Sequence, residues 1–258
     1  MKRAAILLAL LGGCTTLGPM ASTTGISAVP TTRPGFQVSL AATPGYFLSS
    51  ATTEKHNGAV IPSLAVLFEP DRWIGVPGLY ISGRVMGTKD SGSLVEPMIG
   101  YRKTVDRMSL GIVFYGTQGS HENKGASYRA LRVGGEVHGD VRITAPANFE
   151  LHAVAGFMGT YLSAEGDYCL DAMMQYGRDC GEPPLPTTPA EASGFYPSVH
   201  VGLALDIAHR LESAFHGARL SLTGAMGTMP TVVGGQQEKA AGYVTVGLSL
   251  TVGFGAAN

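Results

Sequence analysis

The chain has 258 residues, enough for one large domain or two small ones. Only 14% of residues are charged, 45% are hydrophobic and Gly occurs 36 times; soluble domains carry nearer ~25% charged residues. A formal net charge of -1 excludes the basic footprint of a nucleic-acid partner, and low charge with abundant Gly fits closely packed strands with little wetted surface.

Lys2 and Arg3 precede an apolar segment from Ala4 to Leu11, too short to cross a bilayer as a helix. Residues 1–13 read as an export signal. The segment Leu11-Gly12-Gly13-Cys14 resembles the lipobox of bacterial lipoproteins, which implies cleavage before Cys14 and its acylation. In that family an Asp after the cysteine often retains the protein at the inner membrane, so Thr15 implies outer-membrane sorting. The other reading is an ordinary signal peptide cut between Cys14 and Ala28. Residues 14–35 are rich in Thr, Ser, Pro and Gly and read as a flexible tether. With Cys14 taken by lipid, Cys169 and Cys180 are left to pair in an oxidising compartment. That disulfide would stabilise the loop between them by roughly 2–3 kcal/mol. No later apolar run reaches the length of a membrane-crossing helix.

About ten strands (eight to twelve) follow, near 36–48, 58–69, 78–87, 93–104, 107–117, 126–143, 148–163, 194–209, 216–227 and 241–254. Their pattern has period two. From Phe149 to Tyr161 the odd positions are Phe149, Leu151, Ala153, Ala155, Phe157, Gly159 and Tyr161, whereas Glu150, His152 and Thr160 lie opposite. In the sixth strand Leu131, Val133, Val137, Val141 and Ile143 oppose Arg132, Glu136, His138, Asp140 and Arg142. In the eighth, Phe195, Val199, Val201, Leu203, Leu205 and Ile207 oppose Tyr196, Ser198, His200 and Asp206. The last strand sets Val244, Val246, Leu248, Leu250, Val252 and Phe254 against Tyr243, Thr245, Ser249, Thr251, Gly247 and Gly253. Connections after odd strands are long (49–57, 88–92, 118–125, 164–193, 228–240), and those after even strands are mostly short.

Two architectures alternate in this way. A soluble sandwich points its apolar face at a core, and its solvent faces are rich in Lys and Glu. A membrane barrel points apolar residues at lipid and polar ones into its lumen, with short turns on one side and long loops on the other. The polar faces here mix Ser, Thr, Gly, Tyr and Arg–carboxylate sets, which favours an all-β, antiparallel, up-and-down transmembrane barrel over residues 36–254. The soluble periplasmic β-sandwich lipoprotein is its structural rival. On this pattern, and on hairpins such as Gly100-Tyr101-Arg102 turning into Met108-Ser109-Leu110-Gly111, the chain resembles the small outer-membrane β-barrels of Gram-negative bacteria, of the porin-like and OmpA-barrel-like class. The resemblance implies an outer-membrane location. The chain departs from that class in ending Phe254-Gly255-Ala256-Ala257-Asn258, without a terminal aromatic, and in carrying a lipobox.

The lumen set comprises Arg84, Glu96, Arg102, Arg132, Glu136, His138, Asp140, Arg142, Glu150, His152, His200, Asp206 and Arg219. Charges buried there must be paired. A salt-bridge network that plugs the barrel is the expected arrangement, and a narrow polar pore for small solutes is the alternative. His138 and His152 fall on neighbouring strands, but no third ligand stands at a defined spacing, so neither a metal nor a cofactor is expected. The segment 164–193 reads as a long external loop: acidic, with Tyr168, Met173, Met174 and Tyr176 and the exit Pro183-Pro184-Leu185-Pro186. Such a loop suits contact with other envelope proteins. His56 and Ser120-His121-Glu122 sit in other expected loops, where barrel proteases and lipases keep their sites, and a loop-borne hydrolase is a third reading; yet no G-x-S-x-G or H-E-x-x-H is present, no enzyme is expected and no catalytic residue is assigned. The expected partners are outer-membrane lipid and envelope proteins. The expected role is structural or surface-interacting.

Overall fold

In a computed structural model the described residues are 36–47, 58–70, 74–88, 92–123, 126–144, 149–169, 187–207, 215–233 and 236–254. Ten strands run in chain order: β1 (Phe36–Phe47), β2 (Gly58–Phe68), β3 (Leu79–Thr88), β4 (Gly92–Val105), β5 (Met108–Asn123), β6 (Ala126–Thr144), β7 (Glu150–Cys169), β8 (Thr187–Ile207), β9 (Phe215–Val233) and β10 (Gln236–Phe254). Each pairs antiparallel with its sequence neighbours, and β1 pairs with β10, so the sheet closes into a barrel. At the seam Leu40 faces Leu250, and Thr251 donates from Oγ1 to Ser39 Oγ at 2.9 Å. Closure leaves no free sheet edge.

The barrel is apolar outside and largely polar inside. On β7, Ala155, Phe157 and Tyr161 are exposed, as is Phe149 just before it, while His152, Val154, Met158 and Thr160 are buried. On β8, Phe195, Val199, Val201 and Leu203 face out while Tyr196, Ser198 and His200 face in. The sandwich alternative is thereby overturned. A sandwich would bury these Val, Leu and Phe side chains between two sheets, whereas one closed sheet has only its lumen to fill.

The outward apolar band has a measurable height. It runs from Leu131 to Ile143 on β6 and from Phe195 to Ile207 on β8. Twelve steps at about 3.4 Å, tilted by about 40°, give a band about 30 Å tall, the thickness of a bilayer core. Its upper edge is marked by one outward rung of charge. Arg129 pairs in register with Glu165, which pairs with Glu191, and all three are exposed. Just below that rung stand Tyr161 and Phe195, paired across β7 and β8.

Strands β6 to β10 are 19 to 21 residues long, about twice what a bilayer crossing needs. The excess lies at the end away from Phe36 and Phe254. Three connections expected as loops are therefore largely paired. β5 reaches Asn123 and β6 begins at Ala126, β9 reaches Val233 and β10 begins at Gln236, and β7 reaches Cys169 before β8 begins at Thr187. The expected loop 164–193 is thus strand over 164–169 and 187–193, and its centre, 170–186, lies outside the described residues. The expected connection 228–240 is strand over 228–233 and 236–240. Pro230 stands beside a register shift between Glu238 and Ala241, the place where a sheet tolerates a residue without an N–H. At the opposite end, Val105 pairs with Met108 across a two-residue turn, and Asp106 takes φ 53, a left-handed conformation that Asp accepts more readily than most residues.

Candidate functional site: the charged lumen

All thirteen predicted lumen residues lie on the inner face or at its lower rim. Ten are buried, while Arg142, Glu150 and Asp206 are partly exposed where the strands end. They meet in local sets of ion pairs and hydrogen bonds. The upper group is Arg84–Glu96–Arg132. Arg84 and Glu96 face each other across β3 and β4, and the Arg84 Nη2 donates to Glu96 Oε1. Arg132 Nη1 lies 3.2 Å from Glu96 Oε2. Glu96 and Arg132 are each 0% exposed. The Arg132 guanidinium also lies 4.9 Å from the Tyr115 ring centroid, a cation–π distance, and Tyr115 Oη shares a 2.6 Å hydrogen bond with Thr160 Oγ1.

The lower group closes on itself. Asp140 Oδ1 lies 2.5 Å from His152 Nδ1, and Asp140 Oδ2 accepts from Arg219 Nη1 at 2.7 Å. Arg219 grips Asp206 through both Nε and Nη2, a bidentate fork. His152 Nε2 lies 3.3 Å from Asp206 Oδ2 and 3.3 Å from Glu150 Oε2, and Arg142 Nη1 donates to Glu150 Oε1 at 3.0 Å. A third contact joins Arg102 Nη2 to Glu69 Oε1 at 2.7 Å.

Between these groups Glu136 Oε1 stands 3.5 Å from His138 Nδ1 and 3.6 Å from His200 Nε2. His138 and His200 share one rung, with Gly156 between them and Gly111 on the far side of His138. A Cβ at either glycine would overlap an imidazole ring. The histidine that comes alongside His138 is therefore His200, two strands away. His152, on the adjacent strand, pairs further down with Arg142.

Sequence reasoning missed Glu69, which follows β2 and is buried. It shares parity with the inward Ala65 and Leu67, a signal that was present. It also missed an apolar cluster inside the lumen: Leu67, Tyr80, Met98, Val113, Tyr115 and Met158. These residues alternate with outward apolar ones, so their strands read as continuous hydrophobic runs. Tyr80 lies flat over Gly100, where a Cβ would overlap its ring. Of the remaining predicted positions, Cys169 ends β7 and His121 and Glu122 pair with Tyr128 and Ser127 near the top of β5. Cys14, His56 and Cys180 lie outside the described residues.

No protein-family model and no curated protein sequence matches this chain. Solved structures similar to it include Neisserial surface protein A (10% identity over 85% of this chain and 97% of that one, TM-score 0.37). Ail, the attachment invasion locus protein of Yersinia pestis, is 9% identical over 86% of this chain and 100% of its own, with a TM-score of 0.32. The N-terminal β-barrel domain of Pseudomonas aeruginosa OprF is 10% identical over 85% and 99%, with a TM-score of 0.28. The architecture rests on the strand pairing and facing described above: a closed, ten-stranded antiparallel barrel with a lipid-facing exterior.

Proposed function

We propose that the protein is an outer-membrane barrel whose lumen is sealed, with a structural or surface-interaction role rather than a solute-conducting one. The observation that carries this reading is the upper lumen group. Arg84, Glu96 and Arg132 are held together at 0–4% exposure, and Tyr80, Tyr115, Met98 and Met158 pack in the same lumen. Long side chains can fill a barrel of this size. The hairpins β5–β6, β7–β8 and β9–β10 continue beyond the apolar band and form a wall on one side of the mouth, a surface suited to meeting other envelope components. Export through the segment before Cys14 and a lipid on that cysteine are part of the same proposal, and mass spectrometry of the N-terminal peptide tests them. A Cys169–Cys180 disulfide would staple the top of β7–β8, which non-reducing peptide mapping tests. No catalysis is assigned.

Outer-membrane fractions should contain the protein in a form that migrates faster unheated than boiled. In planar bilayers the purified protein should give no steady conductance. Stable ohmic steps that vanish on removing the protein would overturn the sealed-lumen reading and make it the narrow channel instead.

A further inference from the structure

His152 is buried, at 7% exposure, and is held on two sides. Its Nδ1 faces Asp140 Oδ1 at 2.5 Å. An ionised carboxylate only accepts, so Nδ1 carries the proton and, in the neutral ring, Nε2 presents its lone pair. That lone pair faces two more acceptors, Glu150 Oε2 and Asp206 Oδ2, each at 3.3 Å. One donor atom from each of the three residues lies within 4.8 Å of the other two. Asp206 Oδ2 also accepts from Arg219 Nη2, and an electropositive species set between the three donors would be shared by all of them.

The spacing fits a metal ion. Tetrahedral zinc with bonds of about 2.0–2.1 Å has ligand–ligand edges of about 3.3–3.4 Å, the separation of His152 Nε2 from both carboxylate oxygens. The surroundings fit as well. Asp140 behind the imidazole reproduces the carboxylate–histidine arrangement that fixes the tautomer of a metal ligand. Glu150 keeps Oε2 toward the site because Arg142 holds Oε1, and Arg219 holds Asp206 through a bidentate fork. Glu150 and Asp206 are partly exposed, which leaves a path from water and room for a water ligand. Arg142 and Arg219 bind the three carboxylates Asp140, Glu150 and Asp206, and the charge of Arg102 also acts on Asp140.

We propose that Glu150, His152 and Asp206 form a divalent-metal site at the short-turn mouth of the barrel, with Asp140 positioning the imidazole. One nitrogen and two carboxylate oxygens suit Zn²⁺ and related first-row ions. The ion would join the short-turn ends of β7 and β8.

The test uses the full chain in detergent micelles, stripped with a chelator and titrated with ZnCl₂ by calorimetry. Co²⁺ serves as a spectroscopic substitute, because its visible absorption reports four-coordinate geometry. One equivalent of Zn²⁺ should bind, and Glu150→Gln should weaken binding by about tenfold or more. The exterior variant Glu165→Gln should bind as the parent does. Each variant is first checked for heat-modifiable migration. If Glu150→Gln does not assemble, Asp206→Asn is read the same way. No Zn²⁺ uptake by the parent would overturn the site. Uptake that neither Glu150→Gln nor Asp206→Asn weakens would place the ion elsewhere and overturn it equally.

Discussion

Replacing Glu96 by Gln interrogates the sealed lumen directly. The substitution keeps the volume and removes one charge from between two guanidiniums. Arg84 donates to one carboxylate oxygen, and the other lies 3.2 Å from Arg132. At that 3.2 Å separation and an effective dielectric of about 20, a unit-charge pair is worth about 5 kcal/mol before solvation is counted. Desolvating three buried ions offsets most of the gross attraction. Removing the acid leaves that desolvation in place and deletes the attraction, so a loss of about 3–5 kcal/mol is expected. The assay is reversible unfolding by guanidinium from lipid vesicles, followed through the single Trp of the chain. The apolar triple variant Arg84→Met, Glu96→Leu, Arg132→Met supplies the control. It removes all three charges of the group together and should cost less than Glu96→Gln, with the adjoining buried Glu136 carboxyl left to be neutralised. A loss below about 1 kcal/mol for Glu96→Gln is the size expected of solvated pairs. It would mean that water reaches these groups, and the argument for a closed barrel would fail.

Val201 stands at the middle of the apolar band at 63% exposure; Val201→Arg should cost about 2–4 kcal/mol in the same unfolding assay, while Glu165→Arg at the upper edge should cost about 0–1. Gly100→Ala should displace the buried Tyr80 ring that lies against it and cost about 1–3 kcal/mol. In Tyr80→Ala the same change should cost measurably less, because the two sites share one contact. At the tight turn, Asp106→Val should lose about 1–2 kcal/mol because Asp106 has φ 53, whereas Asp106→Gly should be neutral within a few tenths; equal effects from the two would argue that the turn relaxes out of the left-handed region.

The sequence by itself determined the kind of wall this barrel has. Period-two alternation is local and survives in one strand read alone: Phe149, Phe157 and Tyr161 on one face and His152 and Thr160 on the other need no neighbour to be seen. A strand has only two faces, so the polar lumen residues were separable from the lipid residues before any pairing was known, whereas the apolar lumen residues such as Leu67, Met98 and Val113 were not. Strand ends were less legible. The upper halves of β7 to β10 hold Gly, Pro and acidic residues that read as loop, and only their partners' backbones keep them extended. Which lumen charges meet was decided by register, which joins residues far apart in the chain. Asp140 reaches Arg219 across the barrel floor, and His138 comes into one rung with His200 only because a glycine of β7 stands between them. The convergence of Glu150, His152 and Asp206 has the same origin. Two of the ligands are alternate residues of one strand, but the third arrives from β8 with a spacing no motif records, and Asp140 approaches from β6 on the other side. Closure itself was a tertiary outcome: a sheet of this alternation becomes a sandwich or a barrel according to whether its first strand finds its last, and here β1 pairs with β10.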